Sequence, residues 1–385
     1  MSQILSTHPY QKIGIDKIQF SNIAVVNMDI PHLLASEKIT IQQASNTARP
    51  CRRYLPNGTG ITKITIKDNE IFSELIIGCA SASNGIPLEY VYLSMVIPDA
   101  AGNNLVPWCY TDYDGYLHSV FDYIAKEYHI ALFWGDMKIN YMEINCNIPL
   151  ADKFSKYSRS ILLLMSLMNN HMGKLSTYNA LSSKNGNKSS HGESFKRGNK
   201  SVEVIIYDKL QELIDTGQNY DNLDTPILRI EYRLKNRKKI KEVFGSNFWK
   251  DLDDKKIAEF FIGQIRTQLG EKYECWKRQQ FIKLKRMIKN CRHSSTKNWH
   301  HLLMQEIRNQ SEQSDLPFIL DIEQVYEAVY SFPDKNARRK CEAIASIDIK
   351  DDVYKNHDTD KVCEILTGAE ISYKNTVELF YGAQV

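Results

Sequence analysis

Val204-Ile205-Ile206-Tyr207-Asp208-Lys209 and, some twenty residues later, Leu228-Arg229-Ile230-Glu231-Tyr232-Arg233-Leu234-Lys235 decide the fold. Both runs alternate as β-strands do, where successive side chains point to opposite faces. Val202, Val204 and Ile206 face one way, with Tyr207 and Lys209 on the other. In the second run Leu228, Ile230, Tyr232 and Leu234 share a face, opposite Arg229, Glu231, Arg233 and Lys235. A third run, Ile139 to Ile148, buries Met142, Ile144, Cys146 and Ile148 and turns out Tyr141, Glu143, Asn145 and Asn147. Three strands of this kind imply a sheet with one apolar and one chemically armed face.

The rest of the first 150 residues is also strand-rich. Ile13 to Phe20, Gly60 to Lys67, Ile71 to Ile77 and Tyr90 to Ile97 alternate, separated by turn signals such as Pro56-Asn57-Gly58 and Gly102-Asn103-Asn104. Helices are predicted at Leu117 to Tyr128 and Lys156 to Met172, and a surface loop over the Ser-, Asn-, Lys- and Gly-rich residues 176–200. Beyond Asn236 the pattern is helical: 237–244, 248–269, 271–291, 297–310, 321–331, 336–346, 358–368 and 372–381. The expected fold class is α+β. It has a curved antiparallel sheet of two related halves with helices on one side, and a helical C-terminal module. The division falls at 1–270, the domain bearing the armed strands, and 271–385, a separate helical module.

Composition narrows the class. The chain has 385 residues, 43% hydrophobic and 25% charged, ordinary values for a globular protein. A net charge of +3 does not itself imply a polyanionic partner, but the charge is clustered. Seven basic residues lie between Arg229 and Lys241 against one acid, and nine between Lys272 and Lys297 against one. Such clusters are either a phosphate-binding footprint or solvated helix faces. The eight cysteines form no C-x-x-C pair and read as reduced thiols. With no signal peptide and no apolar run near the ~20 residues a spanning helix needs, the expectation is a cytoplasmic protein with no membrane partner.

Several chemistries fail. Gly192 to Ser201 has one residue too many between its glycines for a phosphate-binding loop, and it precedes a strand where such a loop must open a helix. There is no G-x-S-x-G elbow and no His-x-His pair. The route left to a metal is through carboxylates: Glu143 and Glu231 on neighbouring strands could hold Mg²⁺ or Mn²⁺, hard cations that take oxygen ligands, beside the Tyr207 hydroxyl. Lys209 would favour the phenolate or bind a phosphate oxygen, and Arg229 and Arg233 would fork onto phosphates. The same pattern also fits a packed tyrosine and a cross-strand salt-bridge ladder.

Four runs occur in order: Tyr141-Met142-Glu143-Ile144-Asn145, Gly192-Glu193-Ser194 with Gly198-Asn199-Lys200-Ser201, Ile206 to Glu212 with its Tyr207-Asp208-Lys209, and Leu228 to Lys235. Over about Ile139 to Phe261 the chain resembles the rolling-circle replication initiators of filamentous phages (gene II type) and the Rep-trans initiators of small plasmids. The resemblance implies an enzyme that nicks one strand at a double-strand origin, forming a 5′-phosphotyrosine link and a free 3′-hydroxyl, and later rejoins the strand. It assigns the nucleophile to Tyr207 with Lys209 beside it. The metal ligands fall on Glu143 and Glu231, with Asp16 as a third oxygen donor. Asn147 stands where relatives carry a second acidic residue. DNA contacts fall on Arg229, Arg233, Lys235, Arg197 and Lys200. The implied partners are origin DNA, duplex and single-stranded, with host helicase and polymerase, and a homodimer is compatible. A conjugative or mobilisation relaxase with the same chemistry is one rival; a non-catalytic origin- or operator-binding protein is another.

Overall fold

The computed structural model describes residues 9–44, 51–68, 71–81, 86–96, 105–178, 194–217, 225–294 and 358–381, with a few positions between 299 and 309. The helices expected at 321–331 and 336–346 lie outside the described residues. In chain order the first part runs β1 (Ile13–Ser21), β2 (Ala24–Met28), α1 (Ile30–Leu33), β3 (Ile39–Gln43), β4 (Arg53–Tyr54), β5 (Gly60–Asp68), β6 (Phe72–Ser81), β7 (Pro87–Val96) and α2 (Tyr110–Glu127). The second runs β8 (Ile130–Phe133), β9 (Lys138–Pro149), α3 (Ser158–Leu167), β10 (Leu175–Tyr178), β11 (Ser194–Gly198), β12 (Val202–Asp208), α4 (Lys209–Thr216), β13 (Ile227–Leu234), α5 (Arg237–Phe244), α6 (Asp254–Gln264), a π-helical Ile265–Gly270, α7 (Glu271–Ser294) and α8 (Asp358–Tyr381).

The fold is α+β. Among the described residues, eleven strands form one antiparallel sheet in the order β10-β11-β12-β13-β9-β1-β7-β6-β5-β3, with β4 also paired to β5; β2 and β8 make a separate ribbon. The large sheet is open, ending at β10 and β3. Its order shows the two related halves. From the central β1/β9 pair, one side reads β1, then β7, β6 and β5 in reverse sequence order, and the other reads β9, then β13, β12 and β11. Each half places its first strand at the centre and stacks its later strands outward from last to first.

One face of the sheet carries the core. Ile15, Ile18, Phe20, Met142, Ile144, Cys146, Val204, Ile206, Ile230, Tyr232 and Leu234 have no exposed surface. Aromatic rings cover them: Phe20 meets Trp249 edge-on at 5.3 Å and Tyr232 meets Phe261 of α6 at 5.7 Å. Such apolar burial is the main stabilising contribution to a sheet of this kind.

Three local readings change. Helix α2 starts at Tyr110, seven residues before the predicted Leu117, because Cys109 and Asp112 form a capping box, with the thiol in place of the usual hydroxyl. The predicted loop over 176–200 contains the strands β10 and β11. β11, which carries Lys196 and Arg197, is held extended by a tight hairpin to β12 that closes at Gly198 and Glu203, and β10 adds to its other edge across the intervening residues. The predicted helix 156–172 is shorter, with 3₁₀ turns flanking α3 at Phe154–Lys156 and Asn170–Met172.

The chain divides into two compact units. The first comprises Met1–Pro149, Met172–Gly263 and Ala369–Val385, and so contains the whole sheet; the second comprises Leu150–His171 and Gln264–Gly368. Within the second, α3 packs on α7, Tyr157 donates a hydrogen bond to Glu364 at 2.6 Å, and Lys361 reaches Asp152 at 2.8 Å. In the first, Thr376 of α8 accepts a hydrogen bond from the Ile13 amide at 2.8 Å, which ties this helix to β1. No helix among the described residues is long and apolar enough to cross a membrane.

Candidate active site and metal centre

Cross-strand register assembles the site on the face opposite the core. Three rows cross β12, β13, β9 and, for the second and third, β1: Tyr207–Arg229–Asn147, then Ile205–Glu231–Asn145–Gly14, then Glu203–Arg233–Glu143–Lys17. Between the second and third rows β1 carries one residue more than β9. The register shifts between Ile15 and Lys17, and Asp16 is the extra residue of this β-bulge. Bulges re-aim side chains, and this one delivers Asp16 to the centre. One carboxylate oxygen from each of Asp16, Glu143 and Glu231 lies within 4.8 Å of the others, all three residues buried.

The chemistry of this cluster fits a divalent cation. All three donors are oxygen, as Mg²⁺ or Mn²⁺ requires. Among the described residues, Asp16 Oδ1 and both polar atoms of the Asn145 side chain are buried without a hydrogen-bond partner. Buried polar atoms without partners cost stability, and a cation would engage these oxygens. Burial, then repulsion from Glu231, pushes the Glu143 carboxyl up to about 8. Burial also raises Glu231, against the pull of Arg233. The protein's own counter-charge is Arg233: its Nε contacts Glu231 and stands 3.3 Å from Glu143, and its Nη1 lies 3.4 Å from Glu203.

Tyr207 sits in the first row, adjacent to the cluster in register, and is 6% exposed. Burial holds its hydroxyl well above the usual tyrosine value, opposed by Arg229. Lys209 does not continue the strand as the alternation suggested. Asp208 caps α4 by accepting from the Gln211 amide at 3.1 Å, so the chain turns helical at Lys209. The Lys209 ammonium is buried and paired with Glu212. Burial, then the nearby Arg229 charge, lowers it to about 8.

The five cations expected to meet DNA divide by burial. Arg229 has no exposed surface. Its Nε donates to Asn147 Oδ1 at 2.7 Å, its Nη2 to the Leu105 carbonyl at 3.4 Å, and its Nη1 stands 3.7 Å from Asp16. Arg197 is buried too, donating to the Gly173 carbonyl at 3.1 Å. Both are fixed inside the fold, because β11 and β13 are covered where these residues stand. Arg233 and Lys235 are half-buried, and Lys235 pairs with Glu203 at 2.6 Å. Lys200 is exposed, in the turn between β11 and β12.

Two further residues belong to the site, and the sequence alone gives neither a role. Glu203 gathers Lys235, Lys196 and Arg233. Burial pushes its carboxyl up, but the two lysines prevail and hold it below the ordinary range. The alternation of β12 already placed it on the Tyr207 face. Tyr141 is half-buried, and its hydroxyl donates to Glu143. This puts Tyr141 in direct contact with one of the three carboxylates.

The segment Leu105–Trp108 lies over the first two rows. Asn147 and Arg229 both donate to the Leu105 carbonyl, and the Ile15 amide donates to Trp108 at 2.6 Å. This approach requires Gly14: a Cβ there would stand 2.5 Å from the Trp108 carbonyl oxygen.

No known family model matches the chain, and no curated protein matches it in sequence. Among solved structures it is similar to the rolling circle replication initiator protein from Geobacillus stearothermophilus. The identity is 11% and the TM-score 0.34, over 67% of this chain and 85% of that one. A likeness of this degree leaves the chemistry to be argued from the residues.

Proposed function

We propose that this protein is a metal-dependent DNA nicking and strand-transfer enzyme that initiates rolling-circle replication at a double-strand origin. The observation that carries the reading is the buried Asp16–Glu143–Glu231 cluster beside two tyrosines on one sheet face. Mg²⁺ or Mn²⁺ held by those three carboxylates would supply stabilisation of the charge that develops on the phosphate. The tyrosine oxygen attacks phosphorus, and the bond from phosphorus to the 3′ oxygen breaks. The 3′ oxygen takes a proton and leaves as a hydroxyl, while the 5′-phosphate stays esterified to the tyrosine. Attack by a 3′-hydroxyl reverses the step and rejoins the strand. Residues 1–270 form the nicking region in this reading and 271–385 a helical accessory module. Origin DNA is the partner, host helicase and polymerase act downstream in the bacterial cytoplasm, and Lys200 and Lys235 meet phosphates.

Tyr207 is the proposed nucleophile. The hydrogen bond from Tyr141 to Glu143 favours a second reading, in which Tyr141 attacks. Incubation with a supercoiled plasmid carrying the protein's own gene, in Mn²⁺ or Mg²⁺, tests both. The expected product is an open circle with a protein-linked 5′ end on a denaturing gel. Loss of the link in Tyr207→Phe assigns it to Tyr207, and loss only in Tyr141→Phe assigns it to Tyr141. A link that survives both substitutions overturns tyrosine transfer. Tight, salt-sensitive duplex binding without any nick would instead establish a non-catalytic origin-binding protein.

A further inference from the structure

We infer that a cleft next to the carboxylate cluster receives a nucleobase of single-stranded DNA, the one adjoining the scissile phosphate. The inference rests on the nicking reading. The cleft, of about 400 Å³, opens on the same sheet face and is lined by Gln19, Tyr92, Asn140, Glu74, Lys235 and Arg237, among others. Its size is that of a small-ligand site.

Continuity with the cluster comes from register. Gln19 pairs with Tyr141, and the next residues on that face, Lys17 and Glu143, pair with one another. Two residues of strand separate these pairs, about 6.6 Å. Tyr141 bridges them through its hydrogen bond to Glu143. A strand whose phosphate sits at the carboxylates therefore places its neighbouring base over Gln19.

The lining suits a base. Tyr92 is 38% exposed and packs at 5.3 Å on Tyr90. Tyr90 in turn lies on Gly78, where a Cβ would stand 2.3 Å from the ring. Tyr92 is thus an aromatic surface positioned before any ligand arrives, and stacking on such surfaces is how unpaired bases are held. Gln19 makes no side-chain hydrogen bond among the described residues and can both donate and accept. Asn140 accepts from Ser21 at 2.8 Å through Oδ1, which leaves its amide group to donate. Glu74 is an acceptor for an exocyclic amine. Lys235 and the exposed Arg237 stand at one end, where the phosphates flanking the base would pass. A duplex would not fit, because its bases are stacked and paired out of reach.

The test uses the full-length protein in EDTA, which separates binding from chemistry, and fluorescence anisotropy with a labelled 12-nucleotide single strand of randomised sequence. Tyr92→Ala is expected to weaken binding at least about fivefold, Tyr92→Phe to bind as the native protein does, and affinity for a duplex of the same length to stay unchanged. Tyr92→Ala within about twofold of native, or equal losses for single strand and duplex, would overturn the inference. If the native protein binds through Tyr92 yet never nicks in Mn²⁺, the cleft stands and the nicking reading falls. If Tyr92→Ala binds and nicks as the native protein does, the reverse holds.

Discussion

Asp16 stands 3.7 Å from Arg229 across two intervening strand pairings, at the point where β1 carries an extra residue. Alternation from Gly14 already puts Asp16 on the site face; the bulge leaves it unpaired there and brings Lys17 onto the same face opposite Glu143. Unpaired, Asp16 is free to reach the centre. The site accordingly depends on a local irregularity as much as on the identity of its residues.

Deleting Asp16 outright would restore regular pairing of β1 with β9 and remove one of three carboxylates. Asp16→Asn keeps the bulge and removes only the charge. Both are expected to lose Mn²⁺ binding by isothermal titration, but only the deletion should also shift the amide resonances of β1 and β9. Metal affinity unchanged in Asp16→Asn would remove Asp16 from the ligand set.

Arg229→Ala is expected to cost about 3–5 kcal/mol, the scale for breaking a buried charged pair, read as a lower urea midpoint with unchanged slope. Asp16 loses its cation, and Asn147 Oδ1 loses its donor. If Arg229 were instead a surface contact to phosphate, stability would hold and only the salt dependence of DNA binding would change.

Stability of the metal-free protein should fall as pH rises from about 5 to about 8. The Glu143 carboxyl titrates near 8 in the folded state against an ordinary 4.5, so the folded state binds the extra proton in that window and deprotonation opposes folding. Lys209, lowered to about 8, acts in the opposite sense and only above that pH. A divalent cation needs the carboxylates ionised, so Mn²⁺ should raise the melting temperature more at pH 8 than at pH 5.5. Calorimetry in EDTA and in Mn²⁺ checks both, and Glu143→Gln should flatten the EDTA curve.

Gly14→Ala is expected to destabilise by about 1–3 kcal/mol, the usual range for overpacking, because its Cβ would press on Trp108 and Pro107. The covering segment Leu105–Trp108 should loosen, read as faster hydrogen exchange at the Ile15 amide. An unchanged melting temperature would show that the segment moves aside without cost.

The sheet is legible because β9, β12 and β13 each alternate cleanly, which marks the armed face and with it Glu143, Glu231 and Tyr207. Asp16 could be named as a donor but its route to the site could not, since a bulge depends on pairing between strands more than a hundred residues apart. The spacing of Lys209 from Tyr207 fits a strand, but the cap at Asp208 ends the strand first. Arg229 and Arg233 look alike in sequence, and only the segment arriving from Leu105 buries one and not the other. Tyr141 was visible on the right face, but its contact with Glu143 is a matter of rotamer, which periodicity does not encode.

The mirrored strand order has a consequence for synthesis. Asp16 arrives with the first half of the sheet, whereas Glu143 and Glu231 arrive with the second. A chain emerging from the ribosome therefore holds an isolated carboxylate on an unfinished edge until β13 has been made and slotted beside β9. Pairings this distant in sequence form late and slowly. The three-carboxylate cluster cannot exist in a truncated product, and assembling it reports that both halves have closed on one another.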